Sequence, residues 1–213
     1  RSKIMGAMMY EIVFLRHGES EGIQRGILQG HLDLPLTPQG KERIQALANS
    51  WRESQRGFDR ILTSPLRRAR ETAEIIAATL NIPRVEIEPG WIERDFGQGE
   101  GADLQVIADW YPPRGWHTPF EPIYESGETE WQAHLRAGQA IEALLRLPEG
   151  RYLIVSHGNI LNAALHMVMG ILPHGQTLPV EMGLGPGCYA ELQYDPTTGR
   201  WRLLSFNMNH TKG

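Results

Sequence analysis

The sequence predicts an α/β fold: a three-layer α/β/α sandwich with a mostly parallel central sheet, topped by a small lid of loop and helix. Three observations lead there. Short runs of apolar and β-branched residues alternate with segments of helical periodicity over most of the chain, the pattern of helices stacked on both faces of a sheet. The runs are nearly continuous rather than alternately polar, as in strands covered on both faces. Prolines and glycines fall at the junctions, where they open and close elements.

Along the chain, Tyr10 to Leu15 is too short for a helix and reads as a buried strand that Gly18 ends. Thr37 then caps a helix with Pro38 at its first position and Ile44, Leu47, Ala48 and Trp51 spaced for one buried face. A second strand is expected around Arg60 to Thr63. Behind it come Ser64 as N-cap, Pro65 in the first turn, and Leu66, Ala69, Ala73, Ile76, Ala77 and Leu80 at helical spacing, until Pro83 stops the helix. "VEIEP" is another short strand. From Gly90 to Gly127 the chain turns rich in Gly, Pro, Trp and Glu, with one helix at Asp103 to Trp110. A long helix from about Glu128 to Leu147 would turn Trp131, Leu135, Ile141, Leu144 and Leu145 inward. "RYLIVSHGN" is a further strand, and Ile160, Leu161, Ala164, Leu165 and Val168 mark the helix after it, which Gly170 terminates. The closing "CYAELQYDPTTGRWRLLSF" alternates about an Asp-Pro-Thr-Thr-Gly turn, as a hairpin does.

A length of 213 residues suits one domain. Residues 1–9 are expected to be an added or frayed arm, and 10–213 a single domain whose residues 97–127 form the substrate lid. The net charge of −4 provides no long-range basic field for nucleic acid or an anionic membrane, so neither is expected as a partner and any anion chemistry must come from a local cluster. With Cys188 as the only cysteine, an intrachain disulfide and a cysteine-based zinc site are both excluded, and the reducing cytoplasm is the expected compartment. No apolar run approaches the ~20 residues that span a bilayer. Homo-oligomer formation is left open.

Two stretches, "RHG" at 16–18 and "SHG" at 156–158, share a design: a histidine at the carboxyl end of a buried strand, with glycine after it. In open α/β sheets that edge binds ligands, so remote segments can deliver His17 and His157 to one crevice. The alternative is two separate structural histidines. The helix opening "SPLRRAR" adds Arg67, Arg68 and Arg70 near a helix N-terminus, where the macrodipole disfavours cations unless an anion visits. Only an arginine turned toward the sheet edge needs a function; the others read as a solvated basic face. His31, His117, His134, His166 and His174 show no metal-ligand spacing and read as surface or loop residues.

"RHGES" (16–20), "TSPLRRARET" (63–72), "ERDFG" (93–97) and "SHGN" (156–159), with "PLTPQG" (35–40) and "NMNH" (207–210) in support, resemble the ordered motifs of the histidine phosphatase superfamily, phosphoglycerate mutase-like branch. The resemblance implies a phosphoric monoester hydrolase in which His17 takes the phosphoryl group as a phosphohistidine that water hydrolyses. It implies that Arg16, Arg68 and His157 hold phosphate oxygens and that Glu93 is the general acid. Arg94, Gln29, Gly30, Gly158, Asn159 and His210 fall where relatives touch substrate. The expected ligand is a small-molecule phosphate monoester, with no metal and no cofactor, since two arginines and a second histidine can supply the charge that phosphoryl transfer needs. Partial desolvation between Ile92 and Phe96 is expected to help Glu93 keep a proton.

The sequence also departs from the family's mutases. Ile23 stands where they carry Asn, and "LGPGCYAEL" lacks the Asn often found ahead of that late strand. The first departure removes a polar contact to phosphate or substrate, and Gln29 before Gly30 is more like the phosphatase members than the mutases. A phosphoglycerate-mutase-type isomerase and an inactive phosphate-binding module are the alternatives.

Overall fold

The computed structural model of the chain describes residues 9–110, 118–174 and 180–209. The expected arm at 1–9 lies outside the described residues except for Met9. Six strands form one sheet: β1 (Tyr10–Arg16), β2 (Arg60–Thr63), β3 (Val85–Ile87), β4 (Arg151–Ser156), β5 (Tyr189–Asp195) and β6 (Arg200–Met208). Their order is β3-β2-β4-β1-β5-β6. The first four positions run parallel; β5 is antiparallel to β1, and β6 is antiparallel to β5. The expected hairpin is thus the antiparallel margin of an otherwise parallel sheet.

The helices are α1 (Glu21–Gln24), α2 (Pro38–Glu53), α3 (Arg67–Leu80), α4 (Leu104–Trp110), α5 (Glu130–Leu145) and α6 (Gly158–Met169). Strand pleating sends alternate side chains to opposite faces and builds two cores. Val13 and Leu15 of β1 and Leu153 and Val155 of β4 pack with α2 and α3 through Ile44, Leu47, Trp51, Ala69, Ala73 and Ile76. Ile12, Phe14, Tyr152 and Ile154 pack on the other face with α5 and α6 through Ala137, Ile141, Leu144, Ile160, Leu161 and Leu165. Those two layers enclose the sheet as expected.

β1 leads through α2 toward β2, while its neighbour β4 leads through α6 toward β5 on the opposite face. Diverging connections open a crevice at the carboxyl ends of the two strands. His17 and His157 are the residues that immediately follow these strands.

Three local expectations differ from the structure. Ser64 is not the N-cap of α3: Leu66 holds extended angles and caps it without a side-chain bond, so the helix starts two residues later than the Ser-Pro pair suggests. Leu135 is 54% exposed, because the buried stripe of α5 runs through Ala133, Ala137, Ala140, Ile141 and Leu144, leaving position 135 on the far side. His134 and His166 are buried rather than superficial. The helix beginning near 128 is set by a reciprocal capping box between Thr129 and Gln132, and α5 follows it.

Candidate active site

The crevice gathers side chains from four elements. β1 delivers Arg16 and His17, the end of β4 delivers His157, the first turn of α3 delivers Arg68, and the loop after β3 delivers Glu93. Of the three neighbouring arginines, Arg68 is the one turned inward: it is 1% exposed, whereas the Arg67 guanidinium faces solvent and pairs with Glu71 at 2.7 Å. His17 and His157 face each other with ring centroids 5.1 Å apart.

Hydrogen bonds assign the tautomers. His17 Nδ1 lies 2.7 Å from the Gly18 carbonyl, to which it can only donate, so its proton is on Nδ1 and Nε2 carries a lone pair. Arg68 Nε donates to that lone pair at 3.2 Å and, also at 3.2 Å, to Nδ1 of His157. His157 then holds its proton on Nε2 and donates it to Ser64 Oγ at 2.7 Å. One guanidinium N–H therefore sits between two uncharged imidazoles. The remaining Arg68 nitrogens are fixed by the carbonyls of Leu32 (2.7 Å) and Gly30 (2.8 Å).

Electrostatics agree with that assignment. Burial first, then the charges of Arg68 and Arg16, hold His17 well below the usual histidine value, against a smaller opposing effect of the Gly18 carbonyl. His157 is depressed for the same leading reasons, burial and then Arg68. Burial also lowers Arg68 to about 10, still far above neutrality, so it remains cationic. Arg16 donates from Nη1 to the Leu184 carbonyl at 2.7 Å, while its buried Nε has no partner among the described residues. Two cations and an unmet donor at the mouth of two neutral imidazoles form a pocket suited to an anion.

Glu93 is 7% exposed, and its surroundings differ from the sequence expectation. The carboxylate faces the N-terminus of α6, not an apolar gap between Ile92 and Phe96. Oε1 accepts from the N–H of Arg94 (2.8 Å) and Ile160 (3.1 Å), and Oε2 accepts from the N–H and side-chain amide of Asn159 (both 3.3 Å). The open N–H groups of a helix's first turn attract an acidic side chain for the same reason that they attract phosphate.

Among the remaining sequence candidates, Gly30 has φ +47°, and a Cβ there would lie 1.9 Å from Glu100 Oε1, so glycine lets its carbonyl turn to Arg68. Gly158 leaves room for the Arg16 guanidinium, whose Cζ would be 3.2 Å from an added Cβ. Gln29 receives a hydrogen bond from Ser20 Oγ at 2.8 Å through Oε1. Arg94 donates from Nε to the Glu128 carbonyl at 2.9 Å. Asn159 is spent on Glu93. His210 lies outside the described residues.

Four participants were missed by sequence reasoning. Ser64 accepts from His157, and Thr72 Oγ1 accepts from the Gly18 N–H at 3.1 Å. His31, grouped above with the surface histidines, donates from Nε2 to the Glu93 carbonyl at 2.8 Å. Arg136 donates to the Glu93 carbonyl at 3.3 Å. Among the described residues, no group of three or more His, Cys, Asp or Glu side chains is placed to hold a metal ion, and no helix is long and apolar enough to cross a membrane.

Strand-end histidines bridged by a buried arginine on an α/β/α sandwich form a site suited to an anionic ligand, and comparison with known proteins shows the family. Residues 12–209 match the model of the histidine phosphatase superfamily (branch 1), and the chain belongs to that family. It is 31% identical over 208 residues to the uncharacterized phosphatase PhoE of Bacillus subtilis (strain 168), covering 96% of this chain and 98% of the relative. It is 34% identical over 178 residues to the probable phosphoglycerate mutase GpmB of Serratia proteamaculans (strain 568), covering 76% of each. The fold resembles that of phosphoserine phosphatase from Entamoeba histolytica in complex with 3-phosphoglyceric acid, with TM-score 0.77, 24% identity, and 96% and 98% of the two chains covered.

Proposed function

We propose that the protein is a metal-independent phosphomonoesterase that hydrolyses a small phosphorylated metabolite through phosphohistidine at His17. The carrying observation is the tautomer: Nε2 of His17 has a free electron pair, and the pair points at a guanidinium N–H. An incoming phosphate oxygen competes for that N–H and uncovers the nucleophile. The Nε2 pair then forms a bond to phosphorus as the ester P–O bond breaks in line. Arg16 and Arg68 neutralise charge on the equatorial oxygens, and His157 adds the polarity of its ring beside them. Glu93, having taken up a proton from solvent before the cycle begins, hands it to the departing alkoxide oxygen. In the second half, water attacks phosphorus, Glu93 takes its proton, and the P–N electron pair returns to Nε2.

The likeness to a probable phosphoglycerate mutase supports a second reading, in which phosphohistidine returns its group to a substrate hydroxyl. Ile23 in place of the mutases' Asn supports hydrolysis. Stereochemistry and product balance decide. A chiral phosphomonoester should transfer phosphorus with net retention, as two successive displacements require. Free phosphate should also outpace isomerised product in an assay primed with bisphosphate. Net inversion removes the covalent intermediate, and isomerisation outpacing phosphate release selects the mutase reading.

A further inference from the structure

We infer that Arg136, held in place by Glu128, is a positioning residue for Glu93; the inference rests on the acid–base role just proposed for that carboxylate. Arg136 projects from the middle of α5 and spends each of its five N–H bonds on a separate acceptor. Nε donates to Glu128 Oε1 at 2.9 Å and Nη2 to Glu128 Oε2 at 2.7 Å, a bidentate pair. The other three go to main-chain carbonyls of one loop: Nη1 to Gly90 (3.0 Å) and Ile92 (2.7 Å), and Nη2 to Glu93 (3.3 Å). An ordinary surface ion pair has no reason to collect three carbonyls from the segment that carries a candidate acid.

Residue 93 is gripped from two sides. Its carbonyl accepts from His31 and Arg136, while its carboxylate accepts from Arg94, Asn159 and Ile160. Apart from the Arg94 N–H of its own loop and His31, the carboxylate grip comes from α6 and the carbonyl grip from α5, so the acid is suspended between two helices of one layer. The loop also rests on α5 directly, with Gly90 close enough that a Cβ would lie 3.1 Å from that of Ala140. Ser156 adds a tie by donating to the Trp91 carbonyl at 2.6 Å. Glu128 has a second hand on the site, because its own carbonyl orients Arg94. Lysine cannot replace this arrangement: an ammonium has three donors in a tetrahedral spread and cannot span three carbonyls and a carboxylate at once.

A displacement of the acid by about 1 Å is enough to cost roughly a hundredfold in rate, and the cost falls where proton donation matters. The test is Arg136→Lys, with Glu128→Gln as the second variant, assayed as full chains on phosphomonoesters whose leaving groups range from nitrophenol to a primary alkyl alcohol. The quantity read is kcat/KM, which covers steps through departure of the alcohol, together with thermal unfolding midpoints. Loss on alkyl esters should be ten- to a hundredfold, as for a misplaced group, against less than about threefold on the nitrophenyl ester, which leaves without a proton. Adding Arg136→Lys to Glu93→Gln should cost nothing further on alkyl esters. Equal losses on both ester types, or undiminished losses in the Glu93→Gln background, would overturn the positioning role. Should Arg136→Lys fail to fold, Glu128→Gln reads the same leaving-group split. Hydrolysis that survives His17→Ala would instead remove the underlying reading, whereas His17-dependent turnover with a flat leaving-group response removes Arg136 alone.

Discussion

The pocket proposed to take phosphate and the Glu93 loop lie side by side but are built in opposite ways. Arg16, His17 and His157 sit at the ends of adjacent parallel strands paired residue for residue, Arg16 opposite Ser156. Their placement follows from the sheet, and the pocket's field comes from the buried guanidinium groups of Arg16 and Arg68. Glu93 stands on a segment with no regular structure of its own beyond 3-10 turns at Pro89–Trp91 and Gly97–Gly99, and its position is imposed largely from outside by α5, α6 and His31. On the proposed mechanism, the nucleophile is fixed by local architecture, and the acid that must meet a leaving group is fixed by tethers.

The sharpest break in that comparison is an arginine swap inside the pocket. Arg68→Met should lower kcat/KM by about a hundred- to a thousandfold on every ester, nitrophenyl and alkyl alike, because it removes charge stabilisation of phosphorus itself. That uniform loss contrasts with the leaving-group split expected from disturbing the Glu93 loop. If Arg68→Met instead spared nitrophenyl esters, the two regions would not be separable.

Next in size is the pH dependence of stability. His17 and His157 are held below their ordinary value in the fold but titrate near 6.5 when unfolded. Above that pH both states are neutral and the pair has no effect. As pH falls through the unfolded value, the unfolded chain takes up protons that the fold refuses, and stability drops by up to about 1.4 kcal/mol per pH unit for each histidine. Urea unfolding at about pH 7 and about pH 5.5, on either side of the unfolded value, should show this loss in the native chain and a smaller one in His157→Gln. An identical loss in both would mean that the pocket is not its source.

The smallest effect is expected at the neighbouring position. Arg67 points to solvent and makes an i,i+4 pair with Glu71, so Arg67→Ala should change stability by about 0.5 kcal/mol or less and kcat/KM by less than about twofold. A large loss there would contradict the assignment of Arg68 as the inward arginine.

What was legible in the sequence follows the same division. Strand-end histidines and the glycines behind them belong to short, regular elements whose period is written in neighbouring residues. The sheet, its antiparallel margin and the two helical layers were legible for that reason, whereas Arg68 was set apart from Arg67 and Arg70 only by the resemblance to the family's motif. Ser64 was misread because a Ser-Pro pair after a strand usually caps a helix, whereas here the hydroxyl serves His157. His31, Glu128 and Arg136 were invisible because they act on the Glu93 loop across sequence separations of 62, 34–35 and 43 residues or so, distances over which periodicity carries no information. The contact between Glu93 and the first turn of α6 escaped for the same reason, although an open helix N-terminus beside "SHGN" was a usable clue.

The most direct measurement is the site of phosphorylation. Rapid mixing with a phosphomonoester, quenching in alkali and mapping of the labelled peptide should find the phosphoryl group on Nε2 of His17, formed and lost at rates that match turnover. Label on His157, or turnover with no labelled histidine at all, would contradict a nucleophile prepared by the Gly18 carbonyl and the Arg68 guanidinium.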